Sequence, residues 1–160
     1  MSDADDRLEI TLATRRDTRR LGARIASLLS PGALVMLDGH LGAGKTFLTR
    51  AILRALGVSE REPVQSPTFA LVHEYDVELG CVLHADLYRL RGAAGLEDDV
   101  RRLGLADRRR EGAIVIVEWG ADVAPLLGGR PDARVLLVAG DAGRTAKISG
   151  ELADRIVATA

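Results

Sequence analysis

Two short, continuous apolar runs stand out along the chain. They are Ala33–Leu37 and Ala113–Val117, each without a polar residue. Runs of this length predict strands buried on both faces, which is typical of a parallel sheet covered by helices. Before the first of these runs, apolar residues recur every three or four positions. This spacing predicts a helix at Asp17–Leu29, ended by Ser30-Pro31-Gly32.

The rest of the chain alternates strands with helices and inserts one hairpin. The predicted elements are strands at Leu8–Leu12, Arg134–Val138 and Arg144–Ile148, a hairpin of Thr68–Val77 and Cys81–Leu87, and helices at Phe47–Leu56, Leu96–Leu105 and Glu151–Val157. This alternation predicts an α/β fold with a mixed sheet, an inserted β-hairpin and helices on both faces. We expect a single domain over residues 1–160.

Composition narrows the class of protein. The chain is 47% hydrophobic and 28% charged, with mean hydropathy +0.07, as in a globular domain. No apolar run approaches the roughly 18–20 residues that span a bilayer, and the acidic start MSDADDRLEI lacks the apolar part of a secretion signal. A single cysteine, Cys81, excludes an internal disulfide, and there is no Cys/His cluster for zinc. We expect a cytoplasmic protein with no membrane contact.

The charge balance argues against a protein that holds nucleic acid on its own. The chain has 22 basic and 23 acidic residues, a net charge of −1, whereas binding through phosphates normally needs an excess of positive charge. If RNA is involved, we expect a partner to hold most of it. Only two of the basic residues are lysines, Lys45 and Lys147, which makes the position of Lys45 informative.

Gly39–Thr46, with the sequence GHLGAGKT, match the phosphate-binding P-loop pattern G-x-x-x-x-G-K-[ST]. A buried strand precedes the motif and a helix follows it, as this interpretation requires. Glycines let successive backbone N–H groups face phosphate oxygens, and the helix N-terminus adds to the same anion site. Lys45 is predicted to reach the β- and γ-phosphates and the Thr46 hydroxyl to bind Mg²⁺. The alternative is a glycine-rich turn before an ordinary helix, yet lysine stands where a compact ammonium is required.

A P-loop site needs a second acidic residue for its metal ion, usually at the end of a neighbouring buried strand. Glu118 directly follows the apolar run AIVIV, where its side chain is predicted to reach the ligand-binding edge of the sheet. Asp86 follows CVLHA in the predicted hairpin and is a second candidate. For Asp86, a metal-site acid and a solvated carboxylate at a strand end are equally consistent with the pattern.

Two further segments have both a structural and a functional interpretation. Ser66-Pro67-Thr68 reads as an ordinary turn, but it also lies after the P-loop helix, where P-loop proteins carry a segment that senses the γ-phosphate. Trp119, the only tryptophan, is either a core residue or, because it follows Glu118, a neighbour of the nucleotide.

Four segments occur together in the order and spacing of a known family. They are GHLGAGKT, VQSPTFALVHEY, LHADLYRL and AIVIVEWG. With them the chain resembles the bacterial TsaE family of P-loop NTPase-like proteins over about Ile10–Ile148. The combination of SPT-[FY], DLYRL and VEW around one P-loop is far more specific than the P-loop alone.

The resemblance implies a function. TsaE proteins are the ATPases of tRNA threonylcarbamoyladenosine (t⁶A) biosynthesis, so it implies ATP and Mg²⁺ as cofactors and the TsaD and TsaB proteins as partners. TsaD transfers the threonylcarbamoyl group to N6 of adenosine 37. The TsaE subunit is implied to drive the complex between turnovers by ATP hydrolysis, and to meet tRNA only through the complex.

The resemblance also implies roles for individual residues. ATP binding falls to Leu41, Gly42, Ala43, Gly44, Lys45, Thr46, Phe47, Trp119 and Arg144; Mg²⁺ binding to Thr46 and Glu118; catalysis to Lys45, Asp86 and Glu118; and the nucleotide-sensing switch to Ser66, Pro67 and Thr68. The chain departs from the family pattern at two positions. His40 stands where the family usually has Asp, and Phe47 where it has a second Thr. Neither departure changes Lys45, Thr46 or Glu118. The hydroxyl of the second threonine is absent at Phe47, and we expect its loss to affect the hydrolysis rate.

Other functions of a P-loop domain stay open at this point. A small-molecule kinase would need a lid over the phosphates, and Gly92–Arg110 is the only candidate segment. A GTPase is disfavoured because the chain has no N-K-x-D element for guanine. A nucleotide-dependent binding subunit with negligible turnover is the third alternative. Since no arginine finger can be identified among the arginines, we expect hydrolysis to be slow in isolation and faster with the partner proteins.

Overall fold

Seven strands and five α-helices follow one another along residues 8–158, the part of the chain that the computed structural model describes. The strands are β1 (Leu8–Leu12), β2 (Leu34–Gly39), β3 (Val72–Val77), β4 (Gly80–Asp86), β5 (Ile114–Glu118), β6 (Ala133–Gly140) and β7 (Gly143–Ser149). The α-helices are α1 (Arg15–Leu28), α2 (Lys45–Ala55), α3 (Leu96–Arg102), α4 (Leu105–Arg110) and α5 (Glu151–Ala158), and 3-10 helices cover Tyr88–Leu90 and Ala121–Leu127.

Residues 1–7 and 159–160 lie outside the described residues. The expectation about secretion concerns the first of these segments. Among the helices of residues 8–158, none is both long and apolar enough to cross a lipid bilayer.

The sheet has a parallel centre and antiparallel margins. Its strand order is β1-β7-β6-β2-β5-β4-β3. The neighbours β6, β2, β5 and β4 pair in parallel, while β1–β7, β6–β7 and β3–β4 pair in antiparallel fashion. The β3–β4 pair is the inserted hairpin. The predicted α/β fold with a mixed sheet and an inserted hairpin is therefore confirmed.

Helices cover both faces of this sheet, as predicted. Successive side chains of a strand point to opposite faces, and β2 shows both cores. Val35 and Leu37 belong to the cluster shared with α1, α2 and α5. Leu34 and Met36 belong to the cluster shared with α3, α4 and the 3-10 helix at Ala121–Leu127. A strand packed on both faces must be apolar throughout, which explains the continuous run in the sequence.

The strand predicted at Thr68–Val77 is wrong over its first four residues, because β3 begins only at Val72. Residues 68–71 form a turn in which the Leu71 N–H donates to the Pro67 carbonyl over 2.6 Å. Leu71 has φ +66°, a left-handed conformation that no regular strand contains. The apolar residues of this segment match the strand pattern, so the pattern could not reveal the turn.

The helix predicted at Leu96–Leu105 ends three residues earlier than predicted, and the next helix, which begins at Leu105, was not predicted. α3 ends at Arg102 and α4 begins at Leu105. Gly104 between them has φ +68°, which glycine adopts readily and which breaks the regular helix. Apolar residues continue across the break at Leu103 and Leu105, so the pattern extended the predicted helix to Leu105 and did not reveal a separate α4.

Helix α1 begins two residues before the predicted start because Thr14 caps it. The Thr14 Oγ1 accepts a hydrogen bond from the Asp17 N–H at 3.2 Å, and the Asp17 carboxylate accepts one from the Thr14 N–H at 2.8 Å. The Thr14 hydroxyl also donates to Asp17 and is the main reason that the pKa of Asp17 is lowered. This reciprocal pair is a capping box, which satisfies backbone donors at the helix start.

We expect Gly22→Ala to destabilise the fold. A Cβ at Gly22 would lie 2.5 Å from the Ala51 Cβ and 2.9 Å from the Ala51 carbonyl carbon, so α1 and α2 would have to separate. Overpacking of this kind costs about 1–3 kcal/mol and outweighs the gain in helix propensity. Urea denaturation measures the change. The exposed Ala23→Ser on the same helix is the control, expected within about 0.5 kcal/mol of wild type; an equal effect of both changes would contradict close α1–α2 contact as the cause.

Candidate functional site

The loop between β2 and α2 curls around the edge of the sheet. β2 ends at Gly39 and α2 begins at Lys45. Gly44, just before the helix, has φ +107°, a left-handed conformation that would strain any other residue. The N-cap residue of α2 is Gly44, which has no side chain to cap the first turn. The backbone N–H groups of that turn therefore remain as donors for an anion, as a P-loop requires.

Lys45 is folded back into this loop, and its side chain is almost entirely buried. Its Nζ donates to the carbonyl oxygens of Gly39 at 2.7 Å and His40 at 2.9 Å. The ammonium also lies 4.0 Å from the centre of the Trp119 ring. Burial lowers the pKa of Lys45, while the carboxylates of Glu118 and Asp86 act in the opposite direction. The ammonium therefore lies inside the curl of the loop, beside acidic groups.

Both acid candidates reach the same edge of the sheet as the P-loop. β4 and β5 are parallel, and Asp86 pairs in register with Glu118. On the other side of β5, Glu118 pairs with Leu37 of β2. Asp86 is 4% exposed and Glu118 1% exposed. Of the two interpretations of Asp86, the solvated carboxylate at a strand end is therefore wrong.

Hydroxyl groups from two other segments meet these carboxylates. The Thr46 Oγ1 lies 3.3 Å from the Glu118 Oε2. The Ser66 hydroxyl donates to the Asp86 Oδ2 and lies 3.4 Å from the Glu118 Oε2. The Thr68 Oγ1 is 3.4 Å from the Ser66 Oγ. The P-loop helix, the Ser66-Pro67-Thr68 segment and two strand ends thus contribute oxygen atoms to one small space.

This set of oxygen atoms fits a divalent cation such as Mg²⁺. Mg²⁺ binds carboxylate and hydroxyl oxygens, takes few protein ligands and keeps its other positions for water or phosphate. Two buried carboxylates, Asp86 and Glu118, supply negative charge beside the Thr46 hydroxyl. Thr46 and Glu118 are the residues that would hold the ion.

Trp119 forms an aromatic wall of the site. Its backbone has φ +62°, which turns the chain sharply after Glu118. Its ring packs against Tyr88, with 5.0 Å between ring centres. The Arg91 guanidinium carbon lies 4.5 Å from the centre of the Trp119 ring. Trp119 packs partly buried against the apolar cluster on the α3–α4 face and also lies beside Lys45, so its position agrees with both interpretations, and contact with a nucleotide stays a prediction.

A cavity of about 350 Å³ brings most of the predicted site residues together. It is lined by Leu41, Gly42, Gly44, Lys45, Thr46, Phe47, Ser66, Thr68, Asp86, Glu118 and Trp119, together with Tyr88. Ala43, Pro67 and Arg144 were also predicted but do not line this cavity. Ala43 is buried in the core beneath the loop. The Arg144 side chain lies against the loop, since a Cβ placed on Gly44 would be 3.4 Å from its Nε.

Phe47 occupies the position where the family pattern has a second threonine. Its ring borders the cavity. The guanidinium carbons of Arg15 and Arg19, both on α1, lie 5.9 Å and 5.8 Å from the ring centre. In place of a hydroxyl, this chain therefore has an aromatic contact between the P-loop helix and α1.

His84 and Thr49 belong to the site although sequence reasoning missed them. The His84 Nε2 lies 3.3 Å from the Glu118 Oε1, and the Thr49 Oγ1 lies 3.4 Å from the same oxygen. For His84 the signal is a histidine inside an apolar strand, two residues before Asp86 and hence on the same face. For Thr49 the sequence carries no comparable signal, since a threonine inside a helix is common.

Comparison with known proteins agrees with this geometry. A family model described as "Threonylcarbamoyl adenosine biosynthesis protein TsaE" matches residues 12–146. Two relatives are named tRNA threonylcarbamoyladenosine biosynthesis protein TsaE. The one from Aquifex aeolicus is 44% identical over 82 residues, covering 51% of this chain and 62% of the relative. The one from Streptomyces coelicolor is 47% identical over 104 residues, covering 64% of this chain and 66% of the relative.

The matched part of this chain thus spans somewhat less than two thirds of those relatives' length. Among solved structures, the crystal structure of YdiB from Bacillus subtilis superposes with a TM-score of 0.71, at 25% identity and over 95% of both chains. The resemblance seen in the four sequence segments is confirmed by the family model: this chain belongs to the TsaE family.

Proposed function

We propose that this protein binds and hydrolyses ATP with Mg²⁺, as the ATPase component of the machinery that makes N6-threonylcarbamoyladenosine at position 37 of tRNA. One observation carries the chemical part of the proposal. The Thr46 Oγ1 on the P-loop helix lies 3.3 Å from the Glu118 Oε2 at the end of β5. Both residues line the cavity beside the loop. The biological part rests on membership of the TsaE family.

The loop supplies the groups that a triphosphate needs. Backbone N–H groups of the uncapped first turn of α2 bind phosphate oxygens. Lys45 leaves its carbonyl partners and brings a positive charge to the β- and γ-phosphates. Phe47 and Trp119 line the cavity and offer apolar surface to the nucleotide. These groups bind and orient the nucleotide before any bond is broken.

The acidic side of the cavity serves hydrolysis. Thr46 and Glu118 hold Mg²⁺, which supplies electrostatic stabilisation of the charge that develops on the phosphate oxygens. Asp86 and Ser66, which are joined by a hydrogen bond, would orient the attacking water. Water then attacks the γ-phosphorus as the bond from that phosphorus to the ADP oxygen breaks in line with it, and the proton that the water loses leaves on the inorganic phosphate.

We expect turnover to be slow in the isolated protein. Arg91 is the arginine that stacks on Trp119 at the border of the site. Its guanidinium lies over the ring, and we do not assign it to the γ-phosphate. An activating group is therefore expected from outside the chain. We propose that the TsaD and TsaB proteins supply it, and that this chain meets tRNA only through them. A role in tRNA modification implies the cytoplasm.

The kinase alternative gains no support. The segment that would form its lid includes α3 and α4, whose Val100 and Leu105 are buried in the cluster on the face opposite α2. Helices anchored in a core are poorly suited to close over phosphates. The binding-subunit alternative differs from the proposal only in having negligible ATP turnover. The Glu118→Gln variant distinguishes the two.

Lys45→Ala should weaken the binding of Mg·ATP by about 10- to 100-fold. The change removes a charged hydrogen-bond donor, which is worth about 1.5–3 kcal/mol, and 1.4 kcal/mol corresponds to a factor of ten. Isothermal calorimetry measures the affinity. Lys147→Ala is the matched control, since that lysine lies on β7 and pairs with Glu9 at 3.4 Å. If calorimetry detects no heat of binding between the wild-type protein and millimolar Mg·ATP, the proposed function as a whole is wrong.

Glu118→Gln should retain nucleotide binding but lower ATP turnover by about 10²–10³-fold, because the carboxylate that would hold the charge-neutralising Mg²⁺ is lost. Phosphate release is measured with the protein alone and with TsaD and TsaB, and the wild type is expected to be faster with the partners. Glu97→Gln, an exposed carboxylate on α3, is the control. If Glu118→Gln abolishes hydrolysis yet sustains t⁶A formation, the protein is a nucleotide-dependent binding subunit instead.

In cells depleted of the native protein, Lys45→Ala should fail to restore t⁶A, whereas Lys147→Ala should restore it. The expected loss follows from the affinity change at the P-loop. Mass spectrometry of nucleosides from digested tRNA gives the t⁶A content directly. Normal t⁶A with Lys45→Ala would remove the assigned pathway but leave the nucleotide site intact.

A further inference from the structure

His84 is a polar residue in one of the most enclosed positions of the fold. It lies on β4 with 0% of its surface exposed. Within residues 8–158, neither of its ring nitrogens has a hydrogen-bond partner of good geometry. Its Nε2 nevertheless lies 3.3 Å from the Glu118 Oε1. Buried polar atoms are normally satisfied, so an imidazole in this position calls for a functional reason.

The two oxygens of the Glu118 carboxylate have different surroundings. Oε1 faces inward, toward the His84 Nε2 at 3.3 Å and the Thr49 Oγ1 at 3.4 Å. Oε2 faces the cavity, toward the Thr46 Oγ1 at 3.3 Å and the Ser66 Oγ at 3.4 Å. The carboxylate therefore has one oxygen directed into the protein and one directed at the position proposed for Mg²⁺.

We propose that His84 is a positioning residue that holds Oε1 of Glu118 from inside the sheet, so that Oε2 stays directed at the metal ion. The proposal rests on the function proposed above, since it takes Glu118 to bind Mg²⁺. In its Nε2–H tautomer the ring is a donor directed at Oε1, and a small rotation of the ring or of the carboxylate aligns the hydrogen bond. Groups that hold a metal ligand from behind set its orientation and its basicity.

A purely structural role fits the surroundings of His84 less well. Its neighbours on β4, Leu83 and Ala85, are buried apolar residues, and Val82 on the same face is too. An apolar side chain of similar size would fill this space without burying two ring nitrogens. Within residues 8–158, Glu118 is the polar group that the His84 Nε2 approaches, so the carboxylate gives the imidazole a task that an apolar side chain could not perform.

The test compares the Mg²⁺ dependence of ADP binding in three variants. His84→Met fills the space without a donor, and His84→Gln returns an N–H near the position of Nε2. His73→Met is the matched control, because His73 is the register partner of His84 on β3. ADP binding is followed by calorimetry over a range of Mg²⁺ concentrations and in excess chelator, and thermal melting without ligand reports stability.

For His84→Met we expect the Mg²⁺ concentration at half-maximal effect to rise about tenfold or more, with ADP affinity in chelator changed by no more than about twofold. His84→Gln should recover most of this loss, and His73→Met should match the wild type. If His84→Met does not fold, His84→Asn takes its place, since its shorter amide does not reach Oε1 and the same loss is expected.

An unchanged Mg²⁺ dependence in the folded His84 variants would overturn the proposal, even if their melting temperatures fall. The proposal would also be wrong if His73→Met raised the Mg²⁺ concentration at half-maximal effect as much as His84→Met does. The effect would then not depend on the contact between His84 and Glu118. A wild-type protein that binds neither Mg·ATP nor Mg·ADP would instead sink the proposed function, so the two failures are distinguishable.

Discussion

The parallel pairing of β2, β5 and β4 is the constraint on which the site depends. Because these strands run in the same direction, their carboxyl ends lie at one edge of the sheet. The P-loop leaves β2 there, Glu118 ends β5 there, and Asp86 ends β4 in register with Glu118. A shift of one residue in the β4–β5 register would turn Asp86 toward the opposite face. The apolar runs that fix this register therefore also fix the distances between the acidic groups.

Burial strengthens the electrostatic interactions between these few charged groups. Lys45, Asp86 and Glu118 are all at most 5% exposed, where Coulomb interactions are screened far less than at the surface. The lowered pKa of Lys45, opposed by the two carboxylates, shows that burial and attraction compete at this ammonium. The Arg91 guanidinium also acts on Lys45, so cations and carboxylates alternate at this edge of the sheet. The convergence of the Thr46, Ser66 and Glu118 oxygens agrees with the divalent-cation site that we propose.

The sequence predicts the parts of the fold and site that depend on local pattern. The P-loop, the strand before it and Glu118 follow from a motif and an apolar run, and the structure has all three together. The turn at residues 68–71 could not be predicted, because it depends on the left-handed backbone of Leu71 and not on composition. His84 was missed for a different reason: its partner, Glu118, is 34 positions away and comes near only through strand pairing.

Trp119 shows how a strained backbone and a binding wall are linked. A bulky residue at φ +62° is uncommon, and such a conformation costs about 1–3 kcal/mol. It persists because contacts on several sides hold the residue: Lys45 at 4.0 Å, Arg91 at 4.5 Å and Tyr88 at 5.0 Å from the ring centre. A glycine would adopt this backbone without strain, yet it would leave the Lys45 side of the cavity open to water. The strain is thus the consequence of placing an aromatic ring directly after the buried acid Glu118, where the chain must turn away from the sheet.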